Sequence, residues 1–311
     1  MNDNNEKFEV GEPTGKDYHG LPILEDKGHP MIPETQHQYA RREIRNTGRT
    51  DVEMLCYTMS ALGTPALLEG QAGVGKDELV RHIAEKTNRP VVTVNFGADT
   101  TFSQLIGMHH PTEDGHFKWK DGFLTEAVKE GYIFLADELN GAPPEATMPL
   151  HGVTQRKGRR HLTIQKKGDT YTDGASGDEM RIHPEFHFIG TQNPPNYPGT
   201  AEMNMAFKSR HTVIQMDWLD QAAEVEILLE ETGIGRGAAN DLVTLANDLR
   251  DQLDGNTVRT PVSTRDMIKV SNMVSDGFMG MKQSAKTVIA GGAKSGDENA
   301  FASAIDRRID G

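Results

Sequence analysis

Residues 69–80 read EGQAGVGKDELV. Gly70 and Gly75 stand five apart with Lys76 next, the spacing of a loop that cradles phosphates. Glycines there permit a tight backbone that aims N–H groups at phosphate oxygens, with Gly73 and Val74 inside the loop. Lys76 would reach the β- and γ-phosphates as a point charge. The next place in such a loop takes Ser or Thr, whose hydroxyl holds Mg²⁺, but this chain has Asp77. A carboxylate is also a hard oxygen ligand for Mg²⁺. It repels a triphosphate, a cost that a helix N-terminus offsets in part. Two readings of Asp77 follow: it helps hold the metal, or it slows the chemistry.

Further along, YIFLADEL ends an apolar run in Asp137 and Glu138. In a nucleotide hydrolase an Asp at such a strand end orients Mg²⁺ and its waters, and the following Glu polarises an attacking water. FIGTQNPP places Asn193 after another apolar run, where its amide could bind that water or the γ-phosphate. FKSRH carries Arg210, and TPVSTRDM carries Arg265 at a helix start. Each has a plainer reading alone: solvated acids, an Asn-Pro turn, two surface charges. Their order and spacing after the glycine loop give them interest.

The elements that must position these residues can be read from the apolar pattern. Val52, Leu55, Cys56, Met59 and Leu62 form one helical stripe. ALLEG is a short strand before the loop, and Leu79, Val80, Ile83 and Ala84 mark a helix after it. PVVTVNF (90–96), YIFLAD (132–137), FHFIGT (186–191) and TVIQMD (212–217) complete a set of five strands. Apolar runs alternating with helical stretches predict a parallel sheet with helices on both faces. Beyond 218 only helical stripes remain, at 242–253 and 267–274. The expected organisation is an extended or partly disordered arm over 1–40, an α/β core over 41–218 and a small helical domain over 219–311. KKGDTYTDGASGDE (166–179) reads as a surface loop or hairpin tip.

The 311 residues carry a formal charge of −13, which argues against a broad basic surface for nucleic acid. A lone cysteine, Cys56, excludes an internal disulfide and a Cys-based zinc cluster, and its place on an apolar face reads as packing. The N-terminus MNDNNEKFEV has no basic and apolar leader pattern, and no run approaches the ~18 apolar residues of a membrane span. The expected location is the cytoplasm.

With these motifs together, the chain resembles the AAA+ ATPases of the MoxR type, the group that includes CbbQ, NorQ, GvpN and CobS. LLEGQAGVGKDELV resembles that family's Walker A, and DELNGAPPEATMPLHGV its Walker B and the Asn-x-Ala-Pro-Pro stretch after it. FIGTQNP resembles sensor 1, SRH the Ser/Asp-Arg-Phe box, and VSTRDM sensor 2. The match runs from about residue 41 to 280. The resemblance implies a P-loop NTPase fold: an AAA+ core with a five-stranded parallel sheet and a C-terminal α-helical lid. It implies ATP and Mg²⁺, with Lys76 on the phosphates and Asp137 in the metal shell. Glu138 would be the catalytic base, Asn193 the sensor 1 residue, Arg210 a finger inserted into a neighbour's site, and Arg265 the sensor 2 arginine. A finger given in trans implies a ring, in this family usually a hexamer.

The resemblance also implies a hairpin inserted at 107–123 and a second over 160–184, with Phe117 and Trp119 as candidate substrate contacts. His109, His110 and His116 on the first read as solvated loop histidines rather than metal ligands. Two residues depart from the pattern: Asp77, and His211 where the family has Phe. An acid after Gly-Lys also resembles the enhancer-binding AAA+ ATPases, whose loop ends Gly-Lys-Glu, though their Gly-Ala-Phe-Thr-Gly-Ala pore motif is absent here. The leading expectation is an ATP-driven remodeller or chaperone that activates or assembles a partner. Relatives commonly act with a von Willebrand A-domain protein, and some help insert metals or cofactors. The alternatives are a nucleotide-binding switch with little turnover and a DNA-handling motor.

Overall fold

Five of the apolar runs become five parallel strands, each ending at the same edge of one sheet. The computed structural model describes residues 8–35, 38–175, 180–194, 203–255 and 257–309. The chain divides into two compact units, one holding residues up to 36, 41–70 and 76–216, the other 37–40, 71–75 and 217–311.

The α/β unit begins with a hairpin of β1 (Pro13–Tyr18) and β2 (Leu21–Leu24), then a two-residue pair, β3 (Glu43–Ile44) with β4 (Arg49–Thr50). Helix α1 (Asp51–Tyr57) starts on a capping box between Thr50 and Glu53. It continues as a π turn over Thr58–Leu62 before Gly63 stops it in the left-handed region. Then follow β5 (Ala66–Glu69), α2 (Lys76–Thr87), β6 (Val91–Asn95) and α3 (Phe102–Ile106). The hairpin β7 (Gly107–Pro111) and β8 (Phe117–Asp121) leads to α4 (Phe123–Glu130) and β9 (Ile133–Asp137). Short helices α5 (Pro144–Thr147) and α6 (Leu150–Val153) precede a second hairpin, β10 (His161–Ile164) with β11 (Asp169–Thr172). The unit closes with β12 (His187–Gln192), α7 (Met205–Lys208) and β13 (Thr212–Gln215).

The central sheet has the order β13-β5-β12-β9-β6, and every pairing in it is parallel. Ile133 to Ala136 in β9 are wholly buried, as a strand covered on both faces requires. Phe134 and Phe188 stack at 5.7 Å between neighbouring strands. They belong to an apolar core with Leu67, Leu105, Leu124 and Phe186.

Three local expectations change. The N-terminal arm, expected to be extended or partly disordered, is a hairpin over 13–24. Its Leu21 and Leu24 are fully buried, and Asn88 and Arg89 donate to the Leu24 and Pro22 carbonyls at 2.8 and 2.6 Å. The last turn of the 52–62 stripe is π rather than α. There Thr58 and Ser60 hydroxyls bond the carbonyls four residues back, at 2.8 and 2.7 Å. Within 166–179, residues 169–172 are a strand, paired with 161–164 and anchored by buried Tyr171. Residues 176–179 of that expected loop lie outside the described residues.

The helical unit is built from α8 (Gln221–Thr232), α9 (Arg236–Asp254), α10 (Thr264–Ser275), α11 (Met281–Ala285) and α12 (Glu298–Arg308). The stripe Leu242, Leu245, Ala246 and Leu249 packs with Met267, Val270, Phe301 and Ile305. A buried ion pair ties three helices together. Arg250 donates to both oxygens of Glu224 at 2.6 and 2.9 Å and to the Val262 carbonyl at 2.9 Å, and Thr264 also donates to Glu224 at 2.8 Å. The Trp218 ring lies 4.0 Å from the guanidinium. Among the described residues no helix is long and apolar enough to cross a membrane.

Candidate nucleotide site

Parallel strands deliver their C-terminal ends to one edge, and the chemistry-bearing residues of the α/β unit gather there. Asp137 ends β9, Asn193 follows β12, and Gly70 follows β5. Gly70 donates its N–H to the Gln192 carbonyl at 3.3 Å, which joins the loop's start to the strand beside it. At the first residue of α2, the Lys76 ammonium donates to the Gly70 carbonyl at 2.7 Å and to Asn193 Oδ1 at 3.0 Å. Burial pushes the Lys76 ammonium down to about 8, against the opposing pull of Asp137 and Glu138.

A hydroxyl that the motifs did not single out organises the acid pair. Thr191, fully buried in β12, donates to Asp137 Oδ1 at 2.5 Å and accepts the Glu138 N–H at 3.0 Å. Glu138 is exposed, with φ of 53°, a left-handed conformation that a non-glycine residue adopts at a cost of ~1–3 kcal/mol. Buried Asn140 donates its side-chain amide to the Asn193 carbonyl at 3.2 Å. Thr191 reads in the sequence as an ordinary β-branched strand residue, and only its being followed by Gln-Asn in an otherwise apolar run hints at more.

Gly73, Val74 and Gly75 group with the helical unit, where a Cβ on Gly73 would fall 2.3 Å from that of Ser263. Gly73 and Gly75 have φ of 84° and 88°, values that suit glycine. Arg265 is the exposed second residue of α10, just after the Ser263 and Asp266 capping box. The Asp77 carboxylate accepts from Arg81 Nε one turn along α2, at 2.7 Å.

The residues at the strand edge suit a magnesium nucleotide. An ammonium, two adjacent carboxylates and an amide meet there, and a hydroxyl fixes one of the carboxylates. Among the described residues no three His, Cys, Asp or Glu side chains converge on one point. Mg²⁺ takes one or two carboxylates from a protein and completes its shell with phosphates and water.

Comparison with known proteins matches an AAA domain of the dynein-related subfamily over residues 65–211 and a CbbQ/NirQ/NorQ C-terminal region over 224–311. Protein NorQ of Paracoccus denitrificans is 32% identical over 214 residues, 69% of this chain and 74% of that protein. Protein CbbQ of Hydrogenophilus thermoluteolus is 29% identical over 69% of this chain and 75% of its own. The gas vesicle ATPase GvpN of Haloferax mediterranei is 30% identical over 78% of this chain and 70% of its own. The chain belongs to the MoxR-type AAA+ ATPases. It is an ATP hydrolase related to NorQ, CbbQ and GvpN.

Within that family's plan, the segment around Arg210 departs at His211, and the structure explains how the departure is accommodated. The His211 ring is buried 4.8 Å from Phe207 and 5.8 Å from Phe188. Its Nδ1 donates to the Phe207 carbonyl at 2.9 Å. Burial pushes it down to about 4, so it packs as a neutral aromatic ring where the family has Phe. Arg210 Nη1 donates to His151 Nδ1 at 2.9 Å.

The inserted hairpins are present at 107–121 and 161–172. Phe117 is 70% exposed. Trp119 is half-buried, its Nε1 donating to Asp121 at 2.7 Å and its ring edge-on to His109. Only Phe117 of this pair is freely displayed.

Proposed function

We propose that the chain binds ATP with Mg²⁺ and uses hydrolysis to remodel, activate or assemble a partner protein in the cytoplasm. The bond from Lys76 to Asn193 beside the Asp137–Glu138 pair carries this reading, because it gathers phosphate charge, metal ligand and base at one strand edge. In this reading Gly70, Gly73, Val74, Gly75 and Lys76 hold the phosphates. Asp137 and Asp77 supply carboxylates to the metal, whose charge stabilises the transferring phosphoryl group. Glu138 takes the proton of the attacking water and Asn193 orients that water. Arg210 from a neighbour stabilises the charge developing on the transferred group, which makes turnover depend on a ring of six. Residues 219–311 act as a lid, with Arg265 coupling it to the nucleotide.

The partner is a von Willebrand A-domain protein or an enzyme that receives a metal or cofactor, in keeping with the family's habits. Phosphate release by the wild type, Lys76→Ala and Glu138→Gln tests the enzymatic part. Both variants should lose most turnover, and equal rates in all three would refute it. The Asp77–Arg81 pair, with the carboxylate turned along the helix, favours one second reading: a slow nucleotide switch. A wild-type rate too low to separate from Lys76→Ala, with ATP still bound tightly, would support that reading instead.

A further inference from the structure

We propose that His151 is a positioning residue for Arg210, orienting its guanidinium through a neutral acceptor and leaving its charge unspent. The inference rests on the reading of Arg210 as the finger for a neighbouring site.

Arginine can only donate, so the 2.9 Å contact fixes His151 Nδ1 as the acceptor and its tautomer as Nε2–H. A carboxylate in that place would hold the guanidinium more tightly but neutralise it. A neutral imidazole takes one N–H and leaves four for phosphate oxygens. Among the described residues Arg210 has no ion pair with a carboxylate, unlike buried Arg89, Arg160 and Arg250.

The imidazole is itself held in place. Its ring lies 5.0 Å from Phe207, which contacts His211, which contacts Phe188, which stacks on Phe134 of β9. This file of rings runs from the strand that ends in Asp137 to the guanidinium. Burial and the Arg210 charge both keep His151 below the usual histidine range. The charged and titratable groups that act on it are Arg210 and, beyond Phe207, His211. Neither is an acid that would favour its protonation. Protonated, His151 would present a donor and a positive charge to Arg210, and the contact would break.

The test is steady-state ATP hydrolysis by the full chain, with nucleotide KM and the pH dependence of kcat. His151→Phe keeps the ring packing and removes the acceptor. It should lower kcat ~10–100-fold, the cost of a misplaced catalytic group, with KM within about twofold. His151→Asn puts an acceptor oxygen where Nδ1 was but cannot titrate. It should restore most of kcat and remove the acid-side fall in activity expected of the wild type where His151, held below the usual histidine range, gains its proton. Arg210→Ala should lose ~10³-fold, and mixing it with Glu138→Gln should recover turnover that neither has alone.

An inactive Arg210→Ala with His151→Phe at the wild-type rate overturns the role of His151 alone. So does an unchanged acid limb in His151→Asn, which decides the matter even if the Phe variant fails to fold. Wild-type turnover in Arg210→Ala overturns the finger reading and this inference with it.

Discussion

Thr191→Val removes one hydroxyl from the centre of the site and changes little else. Valine keeps the β-branch and the volume, so no cavity opens. The lost bond to Asp137 has a charged acceptor, and such bonds contribute ~1.5–3 kcal/mol. The Glu138 N–H then has no acceptor in a position strained to φ 53°, and an unpaired donor costs ~1–3 kcal/mol. A buried methyl in place of the hydroxyl returns ~0.8 kcal/mol. The net loss is about 3 kcal/mol, or roughly 6–12 °C in melting temperature for a unit of this size. Thr191→Ser keeps the hydroxyl and loses a methyl, so it should cost about 1 kcal/mol. Calorimetry without nucleotide should rank wild type above Ser above Val. Phosphate release should stay near wild type for Ser and fall at least ~10-fold for Val, as the acid pair loses its brace. A Val variant that melts within about 2 °C of wild type would refute the hydrogen-bond argument. One that melts early yet hydrolyses at the wild-type rate would confine Thr191 to the fold.

Lys76 should make nucleotide binding pH-dependent, because its ammonium titrates near 8 in the free protein and a bound triphosphate favours the charged form. Affinity should fall up to ~10-fold per unit above pH 8, with proton uptake on binding at pH 9 seen by calorimetry in two buffers; pH-independent affinity from 7 to 9.5 would contradict this. The free protein should respond oppositely. Between about 8 and the ordinary lysine value the unfolded chain holds the extra proton, so stability rises with pH there, and Lys76→Met should flatten that slope. Gly73→Ala places a Cβ against Ser263 at a φ of 84°, so nucleotide affinity measured by fluorescence titration should drop ~10-fold or more. The same change at Gly235, which has open space, should leave affinity unchanged. Asp77→Thr should bind Mg²⁺·ATP within about threefold of wild type, since a hydroxyl can take the same place in the shell, while Asp77→Ala should bind ~10-fold more weakly. Neither should shift the melting temperature much, because the exposed Asp77–Arg81 pair contributes only ~0.3–0.5 kcal/mol.

The five strands were legible because a strand buried on both faces reads as an apolar run, as β9 does over Ile133–Ala136 and β12 over Phe188–Gly190. Their parallel arrangement followed from the helical stripes between them. The N-terminal hairpin was not legible, since β1 is exposed along most of its length and only Leu21 and Leu24 turn inward. Lys76, Asp137, Glu138 and Asn193 could be named from their spacing after strands. That Lys76 bonds Asn193 could not, because it depends on β12 lying next to β5, and strand order is not written in local periodicity. Thr191 and His151 were hidden for a related reason. Each acts on a partner distant in sequence, and neither residue type is unusual where it stands.

That same strand order explains why the arginine segment is held so firmly. Glu69, at the end of β5, accepts from Lys208 at 2.7 Å, from Gln215 at 3.1 Å and from Gln192. Burial alone would push its carboxyl up, but these three donors more than reverse that and hold it below the usual range. One side chain thus joins the ends of β5, β12 and β13 to α7, two residues before Arg210. The residue after Glu69 is Gly70, which bonds Lys76 and the Gln192 carbonyl. So the strand that enters the phosphate loop and the segment that carries the arginine share an anchor. Arg210 is fixed twice: its backbone through Lys208 to Glu69, and its guanidinium through His151 to the ring file. A side chain meant only for solvent would need neither restraint, because ordering a long cationic side chain costs up to ~2 kcal/mol of rotamer entropy.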